Sequence, residues 1–150
     1  MSETRHARET PDKQLRVLSN ALDAEDDTAL ARAVRRGASP DARDVNGTPL
    51  LLQVDDPRKI RALIHAGATV DIRDRETGET PLIRAARLGH APVVQALLAA
   101  GASVHARTVS GDTALSEARR GAHAEVIELL RRAGAPDRED AAGDGDIERR

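Results

Sequence analysis

The chain repeats itself with a period near 33 residues. Four glycines that each follow an apolar run recur at spacings of 30, 34 and 33 residues: Gly37, Gly67, Gly101 and Gly134. A second series recurs at 32 and 33 residues: Thr48-Pro49-Leu50, Thr80-Pro81-Leu82 and Thr113-Ala114-Leu115. A fixed period of this length predicts an array of stacked units, because each unit buries its apolar face only against its neighbours.

The clearest copy runs from residue 78 to 108 and reads GETPLIRAARLGHAPVVQALLAAGASVHART. Thr80 suits the position that caps a helix, and Pro81 suits the first helical residue, where its missing N–H is not needed. Gly89 suits a left-handed residue that ends this first helix. Val93 and Leu97 lie on the apolar stripe of a second helix. Each unit is therefore predicted to be a helix-turn-helix.

This copy resembles the repeat of the ankyrin family, which reads roughly G-x-T-P-L-H-x-A-A-x-x-G-H-x-x-V-V-x-L-L-x-x-G-A. The resemblance implies an all-α solenoid of about four helix-turn-helix units with short hairpin-like loops, capped at both ends. It covers residues 13–136, with units at about 13–46, 47–78, 79–111 and 112–136. Residues 1–12 and 137–150 are left as polar tails that we expect to be disordered.

Two units depart from the repeat. In the second unit, the turn between the helices is two residues shorter, and we expect Asp56 to cap the next helix and Pro57 to begin it. In the last unit, Ala122 takes the place of the usual glycine, and Gly121 comes one position early. A left-handed alanine costs about 1–2 kcal/mol, so we expect the turn to shift onto Gly121.

The composition excludes several functions. Lys and Arg number 23 and Asp and Glu 25, for a net charge of −2, and the chain has no Phe, Tyr, Trp or Cys. Such a chain offers neither the positive field nor the aromatic stacking that nucleic-acid binding uses, and it has no thiolate for catalysis or metal binding. It shows no signal peptide and no apolar segment long enough for a membrane. We expect a cytoplasmic protein that binds no nucleic acid and no membrane.

No catalytic motif is recognisable. The five histidines, at 6, 65, 90, 105 and 123, do not have the spacing of a zinc protease, and no nucleophile elbow or phosphate-binding loop is present. We predict no enzyme, no metal and no cofactor. One alternative is a small metal-dependent enzyme with a site around His90, His123, Asp55 and Asp56. A second alternative is nucleic-acid binding through arginines.

The loops between units, here called the hairpin tips, are the first candidate binding surface. The resemblance implies that proteins bind there and on the exposed side of the first helices. The tips are Arg43-Asp44-Val45-Asn46, Arg73-Asp74-Arg75-Glu76-Thr77 and Arg107-Thr108-Val109-Ser110. Arg43, Arg73 and Arg107 each follow their repeat glycine by six residues and should form a row. That row is either a solvated scaffold or a contact to the partner.

Charges near the turn between the two helices form the second candidate surface. The first two units carry acids there: Asp23, Glu25, Asp26, Asp27, Asp55 and Asp56. The last two carry bases: Arg84, Arg87, His90, Arg119, Arg120 and His123. In register, these residues form a ledge that is acidic at one end and basic at the other. It orients a partner, aligns copies head to tail, or serves solubility alone.

The resemblance implies a non-catalytic protein–protein interaction module. The partner is another protein, which the sequence does not identify, and the role is that of an adaptor or of an inhibitor of the immunity type. Arg is the only residue here of the three that dominate interface hot spots, so we expect the partner to supply any aromatic anchors. We expect the free chain to be a monomer.

Overall fold

The computed structural model describes residues 10–24 and 27–136, and eight helices account for the regular structure in those ranges. Their bounds are α1 Pro11–Asp23, α2 Asp27–Arg35, α3 Leu50–Gln53, α4 Pro57–His65, α5 Pro81–Leu88, α6 Ala91–Ala99, α7 Ala114–Arg120 and α8 Ala124–Arg132. The described part of the chain contains no strand, only one isolated bridge between Arg43 and Pro49. The predicted all-α fold is confirmed.

The helices form four pairs, and the pairs stack in two layers. The first helices of the units are α1, α3, α5 and α7, and the second helices are α2, α4, α6 and α8. In the first layer α5 packs on both α3 and α7, and in the second layer α6 packs on both α4 and α8. Among the described helices, none is long and apolar enough to cross a membrane.

The core is aliphatic and runs through all four units. Its fully buried side chains include Leu18, Ile60, Leu82, Leu97 and Leu130. Between the first helices the contact residues are small, because the buried alanines at 85, 86 and 118 bring α5 and α7 close together. Close approach of the helices lets a chain without aromatic residues exclude water from its interior.

The third unit has the caps that its sequence predicts. The Thr80 hydroxyl accepts a hydrogen bond from the amide of Ile83 at 3.2 Å, and α5 begins at Pro81. Gly89 ends the helix with φ of 75°, in the left-handed region. These three predictions are confirmed, and each satisfies or avoids a backbone group that the helix end leaves unpaired.

The second unit has a first helix of only four residues. No side chain caps α3, which begins after Pro49, but Leu50, Leu51 and Leu52 are all buried. The next helix begins as predicted, because the Asp56 carboxylate accepts a hydrogen bond from the amide of Arg58 at 2.8 Å and Pro57 follows it. In this unit, burial of three consecutive leucines replaces helix length and capping.

The predicted turn of the last unit is wrong. Gly121 has φ of −88°, and Ala122 is the left-handed residue, with φ of 58°. A side chain at position 121 would overlap the ring of His123, whose Nε2 lies 3.1 Å from the carbonyl oxygen of Arg87 in the neighbouring unit. Glycine at 121 therefore provides space, and the position in the repeat, rather than the residue type, decides which residue is left-handed.

The ends of the array differ from the predicted tails at one point. The hydroxyl of Thr10 caps α1 by accepting a hydrogen bond from the amide of Lys13 at 3.3 Å. Residues 10–12 therefore belong to the first unit and not to a tail. Residues 1–9 and 137–150, on which the expectation of disorder also falls, lie outside the described residues.

Candidate partner-binding surface

Carboxylates inside the hairpin tips fix the shape of the loops. Asp44 Oδ1 accepts hydrogen bonds from the amides of Asn46 and Thr48, both at 2.9 Å. Asp74 Oδ1 does the same for the amides of Glu76 at 2.8 Å and Thr77 at 2.9 Å. Side chains that bond their own following backbone hold a turn in one conformation. The first two tips are therefore rigid platforms.

The third tip uses a hydroxyl for the same purpose. Thr108 Oγ1 accepts hydrogen bonds from the amide of Ser110 at 3.2 Å and from that of Asp112 at 3.1 Å. The amide of Val109 also donates to the carbonyl oxygen of Thr77 at 2.9 Å, which links the third tip to the second. All three tips thus have an internally bonded loop.

The environment of Asp74 shifts its acidity. Partial burial of this carboxylate acts to raise its pKa, but the hydrogen bonds from the amides of Thr77 and Glu76 and from the hydroxyls of Thr48 and Thr77 outweigh that effect. The pKa of Asp74 is therefore held below its ordinary value, because these donors stabilise the ionised form. The carboxylate is charged at neutral pH and organises the loop in that form.

The predicted row of arginines joins the tips to one another. Arg43 Nη1 donates to the carbonyl oxygens of Gly47 and of Arg73, both at 2.7 Å. Arg73 Nη1 donates to those of Gly78 at 3.2 Å and of Arg107 at 2.6 Å. Arg107 Nη1 donates to the carbonyl oxygen of Gly111 at 2.9 Å. These contacts favour the scaffold interpretation of the row, and they weaken the alternative that it binds nucleic acid.

A different set of tip residues faces solvent. Two positions after each arginine of the row stand Val45, Arg75 and Val109, which we call the tip row. Val45 is 74% exposed and Val109 is 76% exposed. The stem of Arg75 lies against Gly47 of the preceding tip. The tip row therefore presents two bare valines with an arginine between them, on loops that do not need to reorganise.

Ion pairs cover the exposed side of α5 and α7, which are the first helices of the third and fourth units. Glu79, whose side chain is 13% exposed, lies 3.5 Å from Arg84 Nη1 and 3.1 Å from Arg87 Nε. Its hydrogen bond raises the pKa of the Arg87 guanidinium. In the last unit Arg120 contacts both Asp112 and Glu117 at 2.9 Å. The basic end of the predicted ledge is thus largely neutralised by its own carboxylates.

Sequence reasoning missed these carboxylates. Glu79 and Asp112 each stand directly before a capping threonine and eight residues before the arginine that they meet. The usual rule for charge pairs on one helix looks only three or four residues ahead. The repetition of the same eight-residue spacing in two successive units is the signal that would have found them.

The acidic end of the ledge is described only in part. Asp23 accepts a hydrogen bond from Lys59 Nζ at 2.7 Å, and Asp56 is occupied as the cap of α4. Asp55 is exposed. Glu25 and Asp26, together with the side chain of Asp27, lie outside the described residues. The contrast between the two ends is weaker than the sequence alone indicates.

A small cavity marks the junction between the second and third units. It has a volume of about 10 Å³ and lies between the short helix α3 and helix α5, with Leu52 and Arg84 in its wall. Arg84 Nε is buried, and no group of the described residues accepts a hydrogen bond from it. The cavity is large enough for one water molecule and too small for an organic ligand.

Of the residues proposed for a metal site, Asp55 and His90 both line the small cavity between the second and third units. His123 is in contact with the carbonyl oxygen of Arg87, at 3.1 Å from its Nε2. Across residues 10–24 and 27–136, no three His, Asp or Glu side chains are grouped so that they could hold a metal ion. The described geometry therefore lends no support to the metal-dependent alternative.

The stacked helix-turn-helix units define a repeat solenoid. A sequence model for ankyrin repeats in three copies matches residues 50–140, and the chain belongs to the ankyrin repeat family. That match begins at α3 and leaves the first unit, with α1 and α2, outside it. Comparison with curated proteins gives no match. Ankyrin repeats are typically protein–protein interaction modules and are generally non-catalytic.

Proposed function

We propose that this chain binds a protein partner through the hairpin tips, with the tip row at the centre of the contact. The observation that carries the proposal is the exposure of Val45 and Val109 on loops whose backbones are already held by hydrogen bonds. Burying a valine side chain contributes about 1.5–3 kcal/mol. Two such contacts on one edge are a substantial part of a binding free energy.

The rigidity of the tips supports the same proposal. A flexible loop loses conformational freedom when it binds, and that loss subtracts from the affinity. Here the carboxylates of Asp44 and Asp74 and the hydroxyl of Thr108 fix the loops in the free protein. The partner therefore meets a surface whose shape is set before the encounter.

The charged groups beside the tips supply selectivity. Four arginines lie on α5 and α7: Arg84, Arg87, Arg119 and Arg120. Three of them, at 84, 87 and 120, pair with carboxylates of the same chain. Exposed pairs of this kind contribute little affinity, but they penalise a partner of the wrong charge. We assign the apolar contact to the tip row and the choice of partner to these arginines, together with Asp44, Asn46, Glu76 and Ser110 at the tips.

An adaptor and an inhibitor would use this surface differently. An inhibitor covers the working surface of one partner, whereas an adaptor keeps a second surface free for another protein. In either role, we propose that the partner binds the same tips. We also propose that the free chain is a monomer. Simultaneous binding separates the roles, because an adaptor holds two different proteins at the same time, whereas an inhibitor needs to hold only one.

The test is affinity capture from the lysate of the native host, followed by mass spectrometry. The tip variant carries Val45→Glu, Arg75→Glu and Val109→Glu, which lowers the net charge by four. The control variant carries Arg36→Glu, Gln95→Glu and Ala124→Glu at exposed positions away from the tips, with the same change of charge. Circular dichroism first establishes that both variants are folded.

A protein that is retained by wild type and by the control, but lost from the tip variant, supports the proposal. Retention of the same protein by all three forms would place the partner on another surface. The arginine row is left unchanged in both variants because its guanidinium groups hold the tips together. Substituting Arg43, Arg73 and Arg107 would confuse loss of binding with loss of structure.

A further inference from the structure

A groove opens on the side of the array away from the first helices, between α2 and α4. Its volume is about 530 Å³. Leu30 and three small side chains form its floor: Ala31, Ala62 and Ala66. The α2–α4 contact is looser than the contact between α4 and α6. Alanine side chains are too short to fill the space between the helices, so the floor stays accessible.

One side of the groove carries only basic side chains. Arg58, Arg61 and His65 all stand on α4 and are exposed, with the Arg58 side chain at 80%. Asp56 lies 3.8 Å from Arg58, and its carboxylate already accepts a hydrogen bond from the amide of Arg58 at the start of α4. An occupant that matches this groove has one aliphatic side chain for the floor and carboxylates beside it for the rim.

The chain contains such a segment in its own sequence. Residues 137–150 hold six acidic residues and three arginines, and their one large aliphatic residue is Ile147. Asp146 and Glu148 flank it directly. We propose that Asp146-Ile147-Glu148 binds in the groove between α2 and α4, with Ile147 on the alanine floor and the two carboxylates toward the basic rim.

The connecting chain is long enough for this contact. Ten residues lie between Pro136 and Ile147, and the eleven Cα–Cα steps of that extended chain span about 36–40 Å. Neighbouring helices lie about 8–10 Å apart, which puts the groove about 20–25 Å from α8. The segment reaches the groove with length to spare, along the second-helix side of the array.

Attachment to the same chain compensates for a weak contact. A short flexible connection gives a tethered segment an effective concentration in the millimolar range. A contact with a millimolar dissociation constant is then about half formed within one molecule, although it would be negligible between separate molecules. The tethered segment and any other acidic segment would compete for the same groove.

The experiment uses the full chain and its lack of cysteine. Ala142→Cys introduces a single attachment point for a nitroxide spin label, which broadens the NMR signals of nearby amides. We expect the amide signals of Ala31, Ala62 and Ala66 to lose at least half of their intensity when the label is paramagnetic. Reduction of the nitroxide restores the signals and gives the reference spectrum.

Three variants test the chemistry of the contact. Ile147→Ser and, separately, Arg61→Glu should each abolish the broadening at the groove. Adding Glu148→Arg to Arg61→Glu should restore it by reversing the ion pair, which a merely misfolded protein would not do. Arg75→Glu is the matched control, since it makes the same change of charge at a tip and should leave the broadening intact.

The outcomes distinguish binding of the segment within one molecule from binding between two copies of the chain. Full intensity at the three alanines in the labelled chain overturns the proposal, and so does broadening that survives Ile147→Ser. A mixture of spin-labelled chain and unlabelled, isotope-enriched chain tests the remaining case. Broadening in the enriched chain would show that the segment comes from a second copy, which overturns binding within one molecule.

Discussion

The second and third units are neighbours that reach the same fold by different means. Unit three has a first helix of eight residues, with a threonine cap at its start and a left-handed glycine at its end. Unit two has a first helix of four residues with no side-chain cap. Their second helices, α4 and α6, are equally long at nine residues. A stacked array therefore tolerates the loss of a capped first helix when the second helix is kept.

The compensation appears in the core. Leu50, Leu51 and Leu52 are buried in unit two, where the matching residues of unit three are Leu82, Ile83 and Arg84. An extra buried leucine contributes about 1.5–3 kcal/mol, which is of the same size as a good cap. Unit two has the apolar Leu52 at the position where unit three has the charged Arg84. The small cavity beside Arg84 is a place where the packing between the two units is incomplete.

The largest expected effect tests whether the two units share one core. Leu63 and Leu97 occupy matching positions on α4 and α6, and both are completely buried. Leu63→Ala and Leu97→Ala should each lower the free energy of unfolding by about 2–5 kcal/mol, because each leaves a cavity. Urea denaturation measures the loss, and Arg75→Ala is the control, with an expected change below about 0.5 kcal/mol. A mild effect at Leu63 alone would mean that unit two is only loosely attached.

A second pair compares the turns of units three and four. Gly89→Ala should destabilise the protein by about 1–2 kcal/mol because the backbone at position 89 is left-handed. Overlap of the added side chain with the ring of His123 should increase that loss. Ala122→Gly, at the matching position, should stabilise it by about 1 kcal/mol through relief of the same backbone cost. Thermal unfolding of the two variants should therefore move the midpoint in opposite directions.

The cap of the third unit carries the next expected effect. Thr80→Ala should cost about 1 kcal/mol, since Thr80 is buried and its oxygen accepts from the amide of Ile83. Thr80→Ser keeps that oxygen and should recover most of the loss. Thr48→Ala, at the matching position of unit two, should cost less, because Thr48 donates to Asp74 and caps no helix. Equal losses in a denaturant titration would remove the contrast between the units.

The smallest effect is a dependence of stability on pH. The pKa of Asp74 is held below its ordinary value in the folded state, so the ionised carboxylate adds stability above that value. This contribution is lost as the pH falls through the lowered pKa. Asp74→Asn should therefore unfold with a urea midpoint that changes less between about pH 6 and pH 3 than that of wild type. An unchanged pH dependence would contradict the assigned hydrogen bonds.

Local chemistry made much of the fold predictable from the sequence. The repeat fixed the four helix pairs, and the caps at Thr80 and Asp56 followed from the residues beside them. The left-handed turn at Ala122 did not follow from the residues beside it, because it depends on the space that His123 occupies against Gly121 and Gly89. That contact joins two units, and spacing within one unit carries no information about it.

The candidate site was predictable in position but not in its bonding. The sequence placed the arginine row and the tips at one edge, but it did not show that the guanidinium groups of the row bond to backbone carbonyls of the next tip. Such contacts connect residues about 30 positions apart, such as Arg43 with Arg73. The exposed tip row became recognisable only after the bonded side chains had been separated from those that face solvent.

The bonding of the arginine row repeats from one tip to the next along the stack. Arg43 and Arg73 each reach one carbonyl of their own loop and one of the following loop, so both connections between the three tips are made in the same way. In a further copy of a unit inserted between two others, the arginine would donate to a carbonyl oxygen of the following tip. A carbonyl oxygen of its own loop would accept from the arginine of the preceding tip. This edge of the array therefore accommodates an added unit without a new kind of bond between the tips.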